Sequence, residues 1–316
     1  MGSAALKYAA AAIRVFSKER LEMMSKLAVL FILLAGTLWG SQGIYVRALS
    51  AGGLSVYDIC AVRIVGSAIV LTALMLIFRP RLLKLKFADA WICLGSGMVS
   101  IAGFNACYYN AIELTSLGVA AVLMYISPAV VTLCSCLLFK ERFTRRKAVS
   151  LVLALTGTCF VSGIFGSTQQ HATTAGVLWG LGSGFCYASY SIFSVFGIRR
   201  HYHPLTLMSW TFIIAALCIA PLCSPVNIAS ALAASPVLIV PALCLVLLCT
   251  LLAYFFYTTG LERMEAGRAA VLAVIEAATA ALFGIAFFDD PLTVNLVIGI
   301  AAVLASTAVL NLGRRP

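Results

Sequence analysis

Residues 108–144 read YYNAIELTSLGVAAVLMYISPAVVTLCSCLLFKERFT, and residues 257–293 read YTTGLERMEAGRAAVLAVIEAATAALFGIAFFDDPLT. Laid over one another at a constant offset of 149, they need no gap, and 12 of the 37 columns are identical. Alanine and leucine matches are common in an apolar chain. The coincidences Tyr108/Tyr257, Glu113/Glu262, Gly118/Gly267 and Thr144/Thr293 are not, and they mark an internal duplication.

The solvent of both copies follows from composition. The chain has 316 residues, 62% of them hydrophobic and 10% charged, with a mean hydropathy of +1.05. Such a chain places most of its length in hydrocarbon. Ten apolar stretches are long enough to cross a bilayer. They lie at about 27–47, 56–78, 88–110, 117–139, 147–166, 174–198, 204–223, 236–259, 268–288 and 293–312. The predicted fold is therefore an all-α integral membrane protein of ten transmembrane helices. The first five-helix repeat covers residues 27–166 and the second 174–312, joined by an external loop at 167–173.

Charge tests this count independently. With a cytoplasmic amino terminus, 20 of the 22 Lys and Arg residues fall on the inner side. Only Arg47 lies outside, and Arg63 lies within a helix. By the positive-inside rule both termini are expected in the cytoplasm, including the basic segment 1–26 and the tail 313–316. The net charge of +11 is then orientation, and no nucleic-acid partner is expected. Five crossings per copy is an odd number, so the second copy enters from the opposite face and the repeats are inverted. Inverted repeats place a substrate site at their interface and let it face either side in turn.

Residues 1–25, with Ala9 to Ala12 in a row and Leu6, Ile13 and Phe16 loosely on one side, read as dispensable, with an interfacial helix as the alternative. The first apolar run is full length and carries no small-residue cleavage pattern, so it reads as a span rather than a cleaved signal. The eleven cysteines fall in predicted spans with no CxxC and are expected to pack as small residues. His171, His201 and His203 have no acid or cysteine at ligand spacing, so neither metal nor cofactor is expected. Thr144 and Thr293 each precede an apolar run and are expected to cap helices five and ten. No GxxxxGK[ST], HExxH or GxSxG occurs, so neither nucleotide-driven pumping nor a familiar membrane hydrolase is supported.

Charged groups inside the bilayer are expensive and point to function. Glu276 lies nine residues into helix nine, and its repeat mate is Ser127. The carboxyl group therefore breaks the symmetry at the depth expected for a binding site. There it can take up a proton facing one side and release it facing the other, or serve as a structural acid between helices. Arg63 in helix two is five residues from Asp58, about 140° away around the helix, so the two do not pair well. Arg63 is left to meet Glu276, to hold an anionic group of a substrate, or to cap carbonyls of a neighbouring helix.

Polar and aromatic stripes outline a cavity. Helix six carries Tyr187, Tyr190, Ser191 and Ser194 on one face, and helix one carries Trp39 and Gln42. Matching Gly36 to Gly184 lays Trp39 on Tyr187 and Gln42 on Tyr190. Helices three and eight add Asn105 with Tyr108 and, at the matching positions, Tyr254 with Tyr257. Tyr125 sits near Ser127. Such a box suits an amphipathic organic molecule; the plainer alternative is aromatic packing. Tyr45 and Tyr57 are assigned to the interfacial belt. Gly176, Gly180 and Gly184, with Gly36 and Gly40, form small-residue ridges for close helix approach.

Trp39-Gly40, Ala61-Val62-Arg63, the run Ala111 to Gly118, Ser127-Pro128 and Phe139-Lys140-Glu141-Arg142-Phe143-Thr144 resemble the EamA-domain members of the drug/metabolite transporter superfamily. Gly260 to Gly267, Ile275-Glu276 and Phe288 to Thr293 repeat the signature. Ala277 stands where the family often has Pro, and Asp290 where it usually has Glu. Pro128 predicts a bend in helix four. The resemblance implies a secondary carrier in a prokaryotic inner membrane, often an exporter of amino acids, metabolites or drugs, working by alternating access. Its partners would be a small-molecule substrate, the lipid bilayer and, through Glu276, protons, with the protein a monomer or homodimer. A flippase or scramblase of lipid-linked groups is the alternative, and it predicts a polar seam facing lipid.

Overall fold

The computed structural model describes residues 23–162, 164 and 173–311. The segment 1–22, most of the predicted loop 167–173 including His171, and the tail 313–316 lie outside the described residues. Among the described residues the elements are all helical. They are α1 (Met23–Ala51), α2 (Val56–Phe78), α3 (Phe87–Leu114), α4 (Leu117–Phe139), α5 (Arg145–Val161), α6 (Thr174–Arg199), α7 (Pro204–Leu222), α8 (Pro236–Leu261), α9 (Ala266–Phe288) and α10 (Val294–Asn311). Nine of these are long and apolar enough to cross a membrane. The other, α5, has 17 residues and packs along α10, completing ten. A short apolar helix, Pro225–Ala234, joins α7 to α8.

Helix starts follow from hydroxyl side chains that satisfy orphan amides. Thr144 accepts from Lys147 N at 3.3 Å and its mate Thr293 from Leu296 N at 3.2 Å. Ser55 and Asp58 form a reciprocal capping box at α2. The copies match in backbone detail too. Lys140 and Asp289, 149 apart, both end their helices in the left-handed region, at φ 58° and 54°. Wide-turn π segments at Gly95–Gly103 in α3 and Leu247–Leu252 in α8 end at matching positions.

The pseudo-two-fold relation is visible where α5 meets α10. Ser306 Oγ donates to Ser150 O at 2.8 Å. Two turns further on, Gly157 and Gly299 face each other so closely that a Cβ on either would lie 2.9 Å from the other's carbonyl oxygen. Positions 150 and 299 are repeat mates, as are 157 and 306, so exchanging the two copies turns one of these contacts into the other. The basic turns of both copies share one end of the bundle: Arg200 pairs with Asp89, Thr206 Oγ1 donates to Leu82 O at 2.6 Å, and Lys147 pairs with Glu265 at 2.8 Å. At the other end Arg47 pairs with Asp290 at 3.3 Å and Asp58 accepts from Ser224 N at 2.9 Å.

The two ends are not equally closed. At the basic end the second half of α4, Ser127–Phe139, packs on the first half of α9, Ala266–Ala273, and all eight residues of the latter are buried. At the opposite end the repeat-related segment Leu117–Met124 buries only Val119, Ala120 and Met124, and no comparable packing joins it to Ile275–Phe288. The α4–α9 seam is thus sealed at the basic end, and the two helices are splayed at the other.

Candidate functional site

The site grows from two helix breaks. α4 pauses at Tyr125 and Ile126, before Ser127-Pro128, as the proline predicts. α9 breaks in the same register at Val274, although Ala277 replaces the proline. There Val274 N bonds Val271 O at 3.3 Å and Ala277 N bonds Val274 O at 2.9 Å, a tightened turn. A neighbour packs against it: at Gly36 of α1 a Cβ would lie 3.0 Å from Ala273 O, so α1 backbone lies directly on the break. Gly184 of α6 does the same to α4, 2.9 Å from Leu123 O. Each glycine ridge therefore braces the broken helix of the other copy.

Between the breaks lies a cavity of about 10 Å³, room for about one water molecule. Its lining includes Tyr125, Ser127, Tyr187, Tyr257 and Glu276 from the sequence-derived set, with Pro128 and Ser191. Glu276 is partly buried, and the Tyr187 hydroxyl donates to its Oε2 at 3.0 Å. Ser191 Oγ and Tyr257 OH are 2.7 Å apart, and Tyr190 OH and Thr258 Oγ1 2.8 Å. Trp39 stands over this group, its ring 5.2 Å from both Tyr254 and Tyr257 and 6.4 Å from Tyr187, its repeat mate. Tyr190 packs edge-on against Tyr254 at 4.9 Å. Tyr108 stays one ring removed, stacked on Phe104, which touches Tyr187.

Arg63, Gln42 and Asn105 form a second polar cluster. Arg63 Nη1 donates to Gln42 Oε1 at 2.8 Å, and Nη2 to Asn105 Oδ1 at 3.4 Å. Asn105 Nδ2 in turn donates to Ile101 O at 2.7 Å. Of the roles expected for Arg63, pairing with Glu276 and capping carbonyls are not seen among the described residues; it holds side-chain amides instead. Cys60 and Tyr109, which the sequence did not single out, complete the cluster through Asn105 and one another. The signal was there for Tyr109, four residues after Asn105 on the same helical face. The arrangement offers a carboxyl group with a phenol donor, aromatic faces, and a guanidinium whose five donors exceed the two bonds just named.

The EamA-like transporter family matches residues 26–163 and again residues 174–312. An uncharacterized transporter of Bacillus subtilis, YwfM, is 28% identical over 297 residues, 93% of this chain and 96% of that protein. The threonine/homoserine exporter RhtA of Escherichia coli K12 is 29% identical over 217 residues, 66% of this chain and 67% of its own length. A solved crystal structure superposes with a TM-score of 0.70 at 20% identity, over 90% of this chain and 96% of that one, a likeness of fold. Two matches of one family model, one to each half, cover most of the sequence, and the chain belongs to the EamA-like transporter family.

Proposed function

We propose that the protein is an exporter of small amphipathic metabolites, with amino acids and amines the first class to test, working by alternating access in a bacterial inner membrane. The basic end and both termini face the cytoplasm, so the splayed end faces outward. The observation that carries this reading is the Glu276 carboxyl, held by Tyr187 at the α9 break, beside a cavity between one sealed and one splayed end. Glu276 takes a substrate ammonium group or, in exchange for it, a proton. Trp39, Tyr125, Ser127, Tyr187, Tyr190, Tyr254 and Tyr257 supply the walls, with Tyr108 backing them through Phe104. Arg63, oriented by Gln42 and Asn105, takes a substrate carboxylate. RhtA's name supports amino acids as the class. A thermal-shift screen of purified protein against amino acids, amines and vitamins tests binding, since a ligand of the folded state stabilises it by mass action. Hits are then assayed for flux in liposomes with and without a pH gradient. Gradient-driven flux that persists in Glu276→Gln rules out the coupling assignment.

A further inference from the structure

Glu141, at the end of α4, caps a helix of the other copy. Its Oε1 accepts from Ala266 N at 2.8 Å and its Oε2 from Gly267 N at 3.3 Å, the first amides of α9. Lys147 bonds the same carboxylate at 3.2 Å and Glu265 at 2.8 Å. At Gly267 an added Cβ would lie 3.3 Å from Glu141 Oε2, so glycine admits the carboxylate. This clasp closes the sealed end.

The repeat register writes the same parts at the splayed end, where they are unassembled. Asp290 stands at the position of Glu141, and Leu117 and Gly118 at those of Ala266 and Gly267. Neither the Leu117 nor the Gly118 amide meets an acceptor among the described residues, and Ser116 Oγ serves Val119 N. Asp290 is instead drawn to Arg47 at 3.3 Å. Charge-assisted capping of a helix amino terminus is favourable wherever the geometry permits it. We infer that Glu141 and Asp290 are exchanging latches: as Glu141 releases Ala266 and Gly267, Asp290 leaves Arg47 and takes the amides of Leu117 and Gly118, sealing the opposite end. The inference rests on the alternating-access reading. Lys147 has Leu296 as its mate, so the basic-end latch carries a cation the other lacks, which favours the state seen here.

Hydrogen exchange by mass spectrometry on the full chain in lipid nanodiscs reads both latches, through Ala266–Ala273 and Leu117–Met124. Glu141→Ala is expected to speed exchange in the first segment and slow it in the second, changing their ratio about tenfold, the weight of one charged hydrogen bond. Asp290 and Arg47 are both exposed, so their variants keep the fold even where Glu141→Ala does not. Arg47→Ala frees Asp290 and is expected to slow exchange at Leu117–Met124; Asp290→Ala is expected to speed it. If those two variants shift the ratio in the same direction, the residues are a plain surface ion pair and the latch is overturned. If no variant moves the two segments oppositely, alternating access itself falls, and the latch with it.

Discussion

Tyr187 donates its hydroxyl to Glu276 at 3.0 Å, and both residues belong to the second copy. Their mates in the first copy, Trp39 and Ser127, have neither an acid nor a phenol between them. The duplicated scaffold is thus a near-symmetric frame, and this phenol–carboxyl pair is present on one half of it and absent from the matching positions of the other.

Glu276→Gln keeps the shape and an acceptor for Tyr187 but removes the ionisable proton. Flux driven by a pH gradient is expected to fall at least about tenfold, while substrate exchange without a gradient persists. Tyr187→Phe removes only the donor. A hydrogen bond to a charged group contributes about 1.5–3 kcal/mol, so flux is expected to weaken while still following the gradient. Paired liposome assays of the two variants check this, and identical behaviour would count against a special role for the carboxyl group.

Trp39 touches three tyrosines and is 9% exposed. Trp39→Ala should lower stability by about 3–5 kcal/mol, as large aromatic truncations do. Trp39→Phe keeps an aromatic face, so it should fold nearly normally with weaker ligand-induced thermal shifts. If Trp39→Phe leaves every ligand shift unchanged, Trp39 packs the core and does not bind.

Much of the frame was legible in the chain because it is written locally. Thr144 and Thr293 cap the helices they precede, and the repeat register holds through these caps, the left-handed helix ends, the π segments and the breaks of α4 and α9. What was not legible depends on neighbours distant in sequence. The break at Val274 has no proline to announce it, and the α1 backbone that Gly36 lets lie against it is far away in sequence. Lys140 and Asp289 share a left-handed conformation, yet neither is the glycine that usually signals one. Arg63 found its partners on α1 and α3, and no spacing within α2 specifies them. The splaying of one end is a property of conformation, to which a near-symmetric sequence is blind.

Lys147 is 4% exposed and binds both Glu141, 9% exposed, and Glu265. Removing one partner of a buried pair leaves an uncompensated charge and costs about 3–5 kcal/mol. Lys147→Met should therefore lower stability by roughly that amount. Adding Glu141→Gln to it should recover part of the loss, because the stranded charge is gone. Thermal unfolding in detergent measures both, and an additive double variant would show that the pair is not coupled.

Gly40 and Gly43 lie three residues apart on α1 and make opposite predictions. A Cβ at Gly40 would sit 2.8 Å from Glu276 O and 2.9 Å from Ala280 N, both backbone atoms of α9, so the helices must separate to admit it. Overpacking of this kind costs about 1–3 kcal/mol, and here the displaced backbone carries Glu276. Gly40→Ala should therefore lower both stability and flux. A Cβ at Gly43 meets nothing within 4 Å, and alanine is favoured over glycine in a helix by about 1 kcal/mol. Gly43→Ala should therefore be neutral or stabilising with flux intact. Unfolding midpoints and liposome flux for the two variants decide the matter, and equal effects would mean that α1 does not brace the α9 break.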